Sequence, residues 1–360
     1  MPDRENGWQQ VLVDYVNAVN EDGLNSRTEP LRRVHDPAHR ARLARRFEAL
    51  SSRERDESMK PVRSEIRARL LRKSERKNDG ECDLQLHLIR SYEQDGVSWQ
   101  EERVELERIH FVRTGGKWRI DRIDPLVTER SAEAWTIDES GPEAWWDPKA
   151  SIPSIPYINP TAATKFKSKV LAGPSAGAIG WGDSWSDWTR RGIPYRRESA
   201  VAYAEKWWNE LNPAYVDMEV NCTNYVSQCI FAGGAPMNYT GKRESGWWYK
   251  GRTNGQELWS YSWAVANGLQ HYLRQPRSAG LRAEAMDSPL DLMLGDVICY
   301  DWDGSGRFQH NTIVTAFTPD GMPLVNANTV SSRRRYWDYR DSYAWTERTR
   351  YRFYHIADEF

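Results

Sequence analysis

The chain has 360 residues, with 50 Lys and Arg against 51 Asp and Glu, and a formal charge of −1. That length suggests about two domains, and a 12% aromatic content excludes a wholly disordered chain because there is ample apolar surface to bury. The near-zero charge argues against a general nucleic-acid-binding surface, and no apolar run approaches the ~20 residues of a membrane span. Residues 1–23 lack both the basic start and the apolar stretch of a secretory signal, which predicts a soluble, cytoplasmic chain and leaves cell-wall or extracellular action open.

Trp8–Val19 spaces Val11, Tyr15 and Val19 as one face of a helix. A second helical run covers 38–50, with Ala41, Leu43, Phe47 and Leu50. From 62 the period changes, and 82–89 (CDLQLHLI) alternates as a half-buried strand does. Segment 101–112 fits helix or strand, and Gly115-Gly116 reads as a turn before a final strand. Helices followed by an antiparallel meander predict a small α+β module over 1–130, similar in element order to cystatin-like and NTF2-like shapes. Residues 31–77 hold sixteen Lys/Arg and seven Asp/Glu, read as a solvated face because the acids are interspersed. His35 and His39 are four apart, but Pro37 lies between them, and both are expected at the surface.

Residues 131–193 are rich in Pro, Gly and Trp without periodicity, which predicts a linker packed on its neighbour. Beyond it come helices at 197–210, 222–232 (stopped by Gly233-Gly234) and 262–273, then strands at 296–300, 311–317, 323–328 and 350–356. This is a second α+β unit, over 194–358.

Eighteen tryptophans pose a choice between core filler and an aromatic groove for sugar or peptide, and fifteen of them follow residue 130. The four cysteines are too scattered for a disulfide framework, and Cys222 and Cys229 on one helix stand about 10.5 Å apart, beyond disulfide reach. Cys222 opens its helix, where unpaired N–H groups and the helix dipole favour a thiolate and can hold an oxyanion, with Asn221 and Thr223 in support. Cys229 and Cys299 read as inert core residues, and Cys82 has no role. Of seven histidines, His310 is best placed as base, at the mouth of an apolar strand after a polar loop. Asn326 or Asn328, on one face of the next strand, could orient it as in Cys-His-Asn arrangements. The loop Asp301–Gly306 opens like a calcium loop but reaches Thr312 where a bidentate Glu belongs, so a tight hairpin explains it better.

The ordered motifs NCTNYVSQCIFAGGAPM, SGWWYKG, WSYSWAVANGL, LGDVICYDWDG, QHNTIVT and PLVN resemble the Putative amidase domain family of Gram-positive bacteria over 194–356. That resemblance implies a papain-like fold related to NlpC-type and CHAP-type amidases, with nucleophile Cys222 and histidine His310. Asn221 stands where the family commonly has Asp, and Asn328 where it commonly has His, which leaves the third catalytic member open. The expected activity is cysteine-dependent amide hydrolysis of a peptide or peptidoglycan-like substrate, with no metal, organic cofactor, nucleic acid or membrane span. Acyl transfer on the same residues, or a non-catalytic binding module using an aromatic groove near Trp247, Trp248 and Trp263, are the alternatives. Oligomeric state stays open.

Overall fold

The computed structural model describes residues 7–25, 35–129, 192–253 and 256–360. All of the expected linker except its last two residues therefore lies outside the described residues. The first unit contains α1 (Trp8–Asn25), α2 (Pro37–Asp56) and four antiparallel strands, β1 (Lys60–Glu75), β2 (Asp79–Gln94), β3 (Val97–Thr114) and β4 (Lys117–Pro125). Trp8, Tyr15 and Val19 of α1 and Leu43, Phe47 and Leu50 of α2 pack on Cys82, Leu84, Ile109, Phe111 and Ile123 of the sheet. The ambiguous segment 101–112 is strand, because its even-numbered partners in β2 bury Leu84 and Leu86 on the same core.

Pro37 starts α2 instead of interrupting it, since the first helical position needs no N–H donor. Asp36 caps that helix by accepting from Ala38 N at 2.9 Å and His39 N at 3.1 Å, and it also accepts from Ile123 N at 2.9 Å. His35 is exposed, but His39 is not a surface histidine: it lies one and two turns before Leu43 and Phe47 and shares their buried face. Its ring meets Tyr15 Oη at 2.9 Å, and burial, then Arg42 and Arg46, push its pKa down to about 3.

The second unit is α+β. Its helices are α3 (Arg197–Trp207), α4 (Cys222–Ala232), α5 (Tyr261–Ala264) and α6 (Ala266–Arg274); the helix expected over 262–273 breaks at Val265, which is extended. Its strands are β5 (Tyr249–Thr253) and β6 (Gln256–Trp259), a separate ribbon, and β7 (Ala283–Met286), β8 (Val297–Asp301), β9 (His310–Phe317), β10 (Pro323–Ala327), β11 (Ser332–Tyr336) and β12 (Arg350–Ile356). Side-chain alternation gives the sheet two buried faces. Val297, Cys299, Ile313 and Tyr354 face the helices, while Ile298, Tyr300, Val314, Val325 and Phe353 face an aromatic cluster on the other side.

The two units share one antiparallel sheet, in the order β1-β2-β3-β11-β10-β9-β8-β12-β7 with β4 also on β3. One edge of β3 serves two partners: its C-terminal half pairs β4, and Glu102 and Arg103 pair Arg333 and Ser332 of β11. Buried charges line this seam. Arg335 pairs with Glu129 at 2.6 Å and Asp341 at 3.1 Å, Arg103 pairs with Asp341 and Glu105, and Arg46 pairs with Glu105 at 2.8 Å.

Trp247, Trp248, Trp263 and Trp302 are all fully buried, so these indoles fill cores. Trp263 packs against Trp247, Tyr215, Tyr249 and Phe231, between the helices and the ribbon. The alternative of an aromatic groove at Trp247, Trp248 and Trp263 is therefore closed, and the core-filler reading of these indoles holds.

Candidate active site

α4 begins where Asn221 ends an irregular stretch and stops at Gly233-Gly234, with Gly234 at φ 103, a conformation glycine adopts without steric cost. Every residue from Cys222 to Ile230 is buried, because the helix lies between α3, α5 and the sheet. Asn224 fixes the first turn: its Nδ2 donates to Asn221 Oδ1 at 2.8 Å and Val216 O at 3.1 Å, and its Oδ1 accepts from Trp263 Nε1 at 2.9 Å.

Cys222 is 1% exposed. Burial pushes its thiol up, against the partial relief given by the Asn311 backbone N–H and the Thr223 and Thr329 hydroxyls that face the sulfur. Thr223 Oγ1 lies 3.7 Å from Sγ and itself accepts from Asn311 Nδ2 at 3.0 Å. The positive end of the helix is present as expected, but desolvation outweighs it. Cys229 and Cys299 are buried with their thiols pushed well up, in keeping with inert core positions.

His310 heads β9 as expected, yet its ring is on the other face of the sheet from Cys222. Asn311 and Ile313 point toward the helices; His310 alternates with them and packs against Tyr339 at 5.4 Å, Tyr300 at 5.5 Å and Trp302 at 5.8 Å. Neither ring nitrogen has a hydrogen-bond partner among the described residues. Burial, which outweighs the attraction of Glu129 and is reinforced by Arg335, pushes its pKa down to about 4.

A pH effect follows with a definite sign. The unfolded chain protonates this imidazole near its ordinary value of 6.5, whereas the fold keeps it neutral down to about 4. The stability it carries is thus complete above about pH 6.5 and is lost as pH falls toward about 4. His310→Phe, which keeps a ring in the cage, is expected to flatten this acid limb. Urea midpoints of the two proteins, followed from pH 7 to 4.5, should show the native chain losing stability faster; parallel curves would refute a buried neutral His310.

Asn326 and Asn328 share the helix-facing side of β10 and its following turn, so neither reaches His310. Asn326 Oδ1 accepts from Thr315 Oγ1 at 2.8 Å and Arg334 N at 2.7 Å, and its Nδ2 donates to Glu205 at 3.3 Å. Asn328 is at the helix start: its Oδ1 accepts from Asn221 Nδ2 at 3.1 Å, and its Nδ2 donates to Trp208 O at 3.2 Å. The structure thus gathers Asn221, Cys222, Thr223 and Asn328, and leaves His310 apart. Two residues that the sequence reading passed over complete the group, Asn311 and Thr329. Thr329 Oγ1 accepts from Asn221 N at 3.1 Å and Cys222 N at 3.0 Å. Its place beside the Asn328 motif position was the only signal available in the sequence.

In the loop after β8, Asp301 accepts from Gly306 N at 2.7 Å and Asp303 from Ser305 N at 3.2 Å, so these carboxylates fasten the hairpin. No cluster of three metal-ligating side chains occurs among the described residues. None of their helices is long and apolar enough to cross a membrane.

A buried cysteine at a helix N-terminus, set against an antiparallel sheet, is the feature with chemical potential here, and it lies within residues 194–354, which match the family described as the Putative amidase domain. The chain is also 54% identical over 169 residues to the Uncharacterized protein YhbB of Bacillus subtilis (strain 168), across 47% of this chain and 52% of that protein. It therefore spans about half the length of the curated relative it matches. Among solved structures, the intermembrane space region of the chloroplast protein ARC6 aligns with 33% of this chain and 92% of its own, at 10% identity and a TM-score of 0.25.

Proposed function

We propose that residues 194–356 form a papain-like, cysteine-dependent amide hydrolase acting on peptide bonds of the cell-wall kind, with Cys222 as nucleophile. The observation that carries this reading is the position of Cys222 in the first turn of α4, its Sγ 3.7 Å from Thr223 Oγ1, inside the segment that matches the amidase domain. In the reaction Sγ bonds to the carbonyl carbon, the C–N bond breaks, and the thiol proton ends on the leaving amine. Thr223 Oγ1, 3.7 Å from the sulfur, is a hydroxyl able to pass that proton on. Water then adds to the thioester, releases the acid and restores the thiol. His310 has no direct part in this scheme, since the strand separates its ring from the sulfur.

A second reading, a non-catalytic binding domain, is favoured by one observation: the groups hydrogen-bonded around the start of α4 are neutral amides and hydroxyls. Purified peptidoglycan incubated with the full chain and with Cys222→Ala separates the two. New amine and carboxyl ends, identified by mass spectrometry, are expected with the native chain and absent from the variant. Equal release from both sinks the hydrolase reading, as does release from neither when a chain carrying Thr329→Gly, which frees the Asn221 and Cys222 N–H groups, also releases nothing. Added amines that appear in the products would mark acyl transfer.

A further inference from the structure

The N–H of a nucleophilic residue is a common donor to the oxyanion formed during acyl transfer. Here that donor is already engaged. Cys222 N and Asn221 N both donate to Thr329 Oγ1, at 3.0 and 3.1 Å, so a side-chain oxygen sits where an oxyanion would bind. Thr329 belongs to the turn 328–331 between β10 and β11 and holds φ at 153°, a conformation that a β-branched residue rarely adopts and that costs about 1–3 kcal/mol.

Such strain persists only where neighbours impose it, and they do so on both flanks of the turn. On one side Asn328 is bonded to Asn221, Trp207 O and Trp208 O. On the other, Ser331 O accepts from Val104 N of β3 at 2.8 Å, and Arg333 pairs with Glu102 of β3 at 3.0 Å and Glu205 of α3 at 2.6 Å. The first unit therefore holds one end of the turn that covers the cysteine.

We propose that Thr329 is a self-inhibitory plug: its hydroxyl occupies the oxyanion position at Cys222, its turn seals the sulfur, and the grip of β3 on Ser331 and Arg333 keeps the plug seated. This rests on the reading of Cys222 as the nucleophile. Activation then consists of lifting the 328–331 turn, which frees the two N–H groups and exposes the thiol together. Release of the β3 seam is the movement that permits it.

The test is the rate at which iodoacetamide alkylates each cysteine of the full chain, read by peptide mass spectrometry. Thr329→Gly removes the hydroxyl whose two hydrogen bonds seat the turn on the start of α4, so the turn lifts more readily. Thr329→Ser keeps the hydroxyl. Because reactivity scales with the open fraction, Cys222 is expected to alkylate about tenfold faster in Thr329→Gly than in the native chain or in Thr329→Ser, with Cys229 slow in all three. Should fast Cys229 labelling show that the glycine variant is loosened throughout, Arg333→Ala decides by the same criterion, since it releases the turn from Glu102 and Glu205. Failure of Cys222 to accelerate selectively in the deciding variant overturns the plug, as does an equal acceleration in Thr329→Ser. The readout does not require hydrolysis. Selective alkylation without any peptidoglycan cleavage removes the hydrolase and leaves the plug; Cys222-dependent cleavage without selective alkylation does the reverse.

Discussion

Asp341→Ala should cost about 3–5 kcal/mol, the range for removing one member of a buried ion-pair network. Asp341 is 1% exposed and accepts from Arg335 and Arg103, while Arg46 Nε donates to its backbone carbonyl at 2.9 Å. Burial opposes its ionisation, and Arg335 and Arg103 overcome that and hold the carboxyl well below the usual range. Truncation leaves Arg335 with Glu129 and Arg103 with Glu105, each a buried cation short of one counter-charge. Because these residues join the two units, the loss should appear as one shifted urea transition with an unchanged slope. A loss below about 1 kcal/mol would mean the network relaxes around the gap or admits water. Two transitions, with only one displaced, would mean that the seam does not couple the units.

Trp263→Ala should cost a similar amount, about 3–5 kcal/mol, by opening a cavity at the centre of the helix-side core. The indole is fully buried among Trp247, Tyr215, Tyr249 and Phe231, which have little room to collapse. A separate part of its role is polar. Nε1 donates to Asn224 Oδ1 at 2.9 Å, and Asn224 in turn holds Asn221, next to Cys222. Trp263→Phe keeps much of the packing and leaves the Asn224 carbonyl unpaired, at about 1–3 kcal/mol. Denaturation of both variants separates the two contributions. If Phe costs as much as Ala, the hydrogen bond dominates; if Phe is neutral, Asn224 has found another donor and the packing carries the effect.

Helix α4 was legible from sequence to the residue, because a polar start, an unbroken apolar run and two glycines each mark it independently. The face on which His310 lies was not. β9 is buried on both sides, so Thr312 and Val314 look no different in sequence from Ile313 and Thr315, and parity alone does not say which set meets the helices. Strand β11 was missed for a related reason: SRRRY reads as a charged loop until Glu129 and Asp341 are brought to Arg335. His39 was misplaced because a proline at a helix start resembles a helix breaker when the boundary is unknown. Thr329 has no signature beyond its place next to Asn328, since its role depends on an unusual φ and on two N–H groups more than a hundred residues away in the chain.

The seam also bears on how the chain is made. Arg335 and Glu129 are 206 positions apart, and Arg103 and Asp341 are 238 apart. Such non-local contacts form slowly, and synthesis delivers the N-terminal partner first. While the ribosome is still extending the chain, Glu102 and Arg103 present an unclaimed stretch of strand edge, with Arg103 short of Asp341 and Glu129 short of Arg335. A half-open edge of this kind recruits any extended segment that arrives early. The charges that stabilise the finished seam also guard it beforehand, since only a strand carrying arginines and followed by an aspartate completes it at no electrostatic loss.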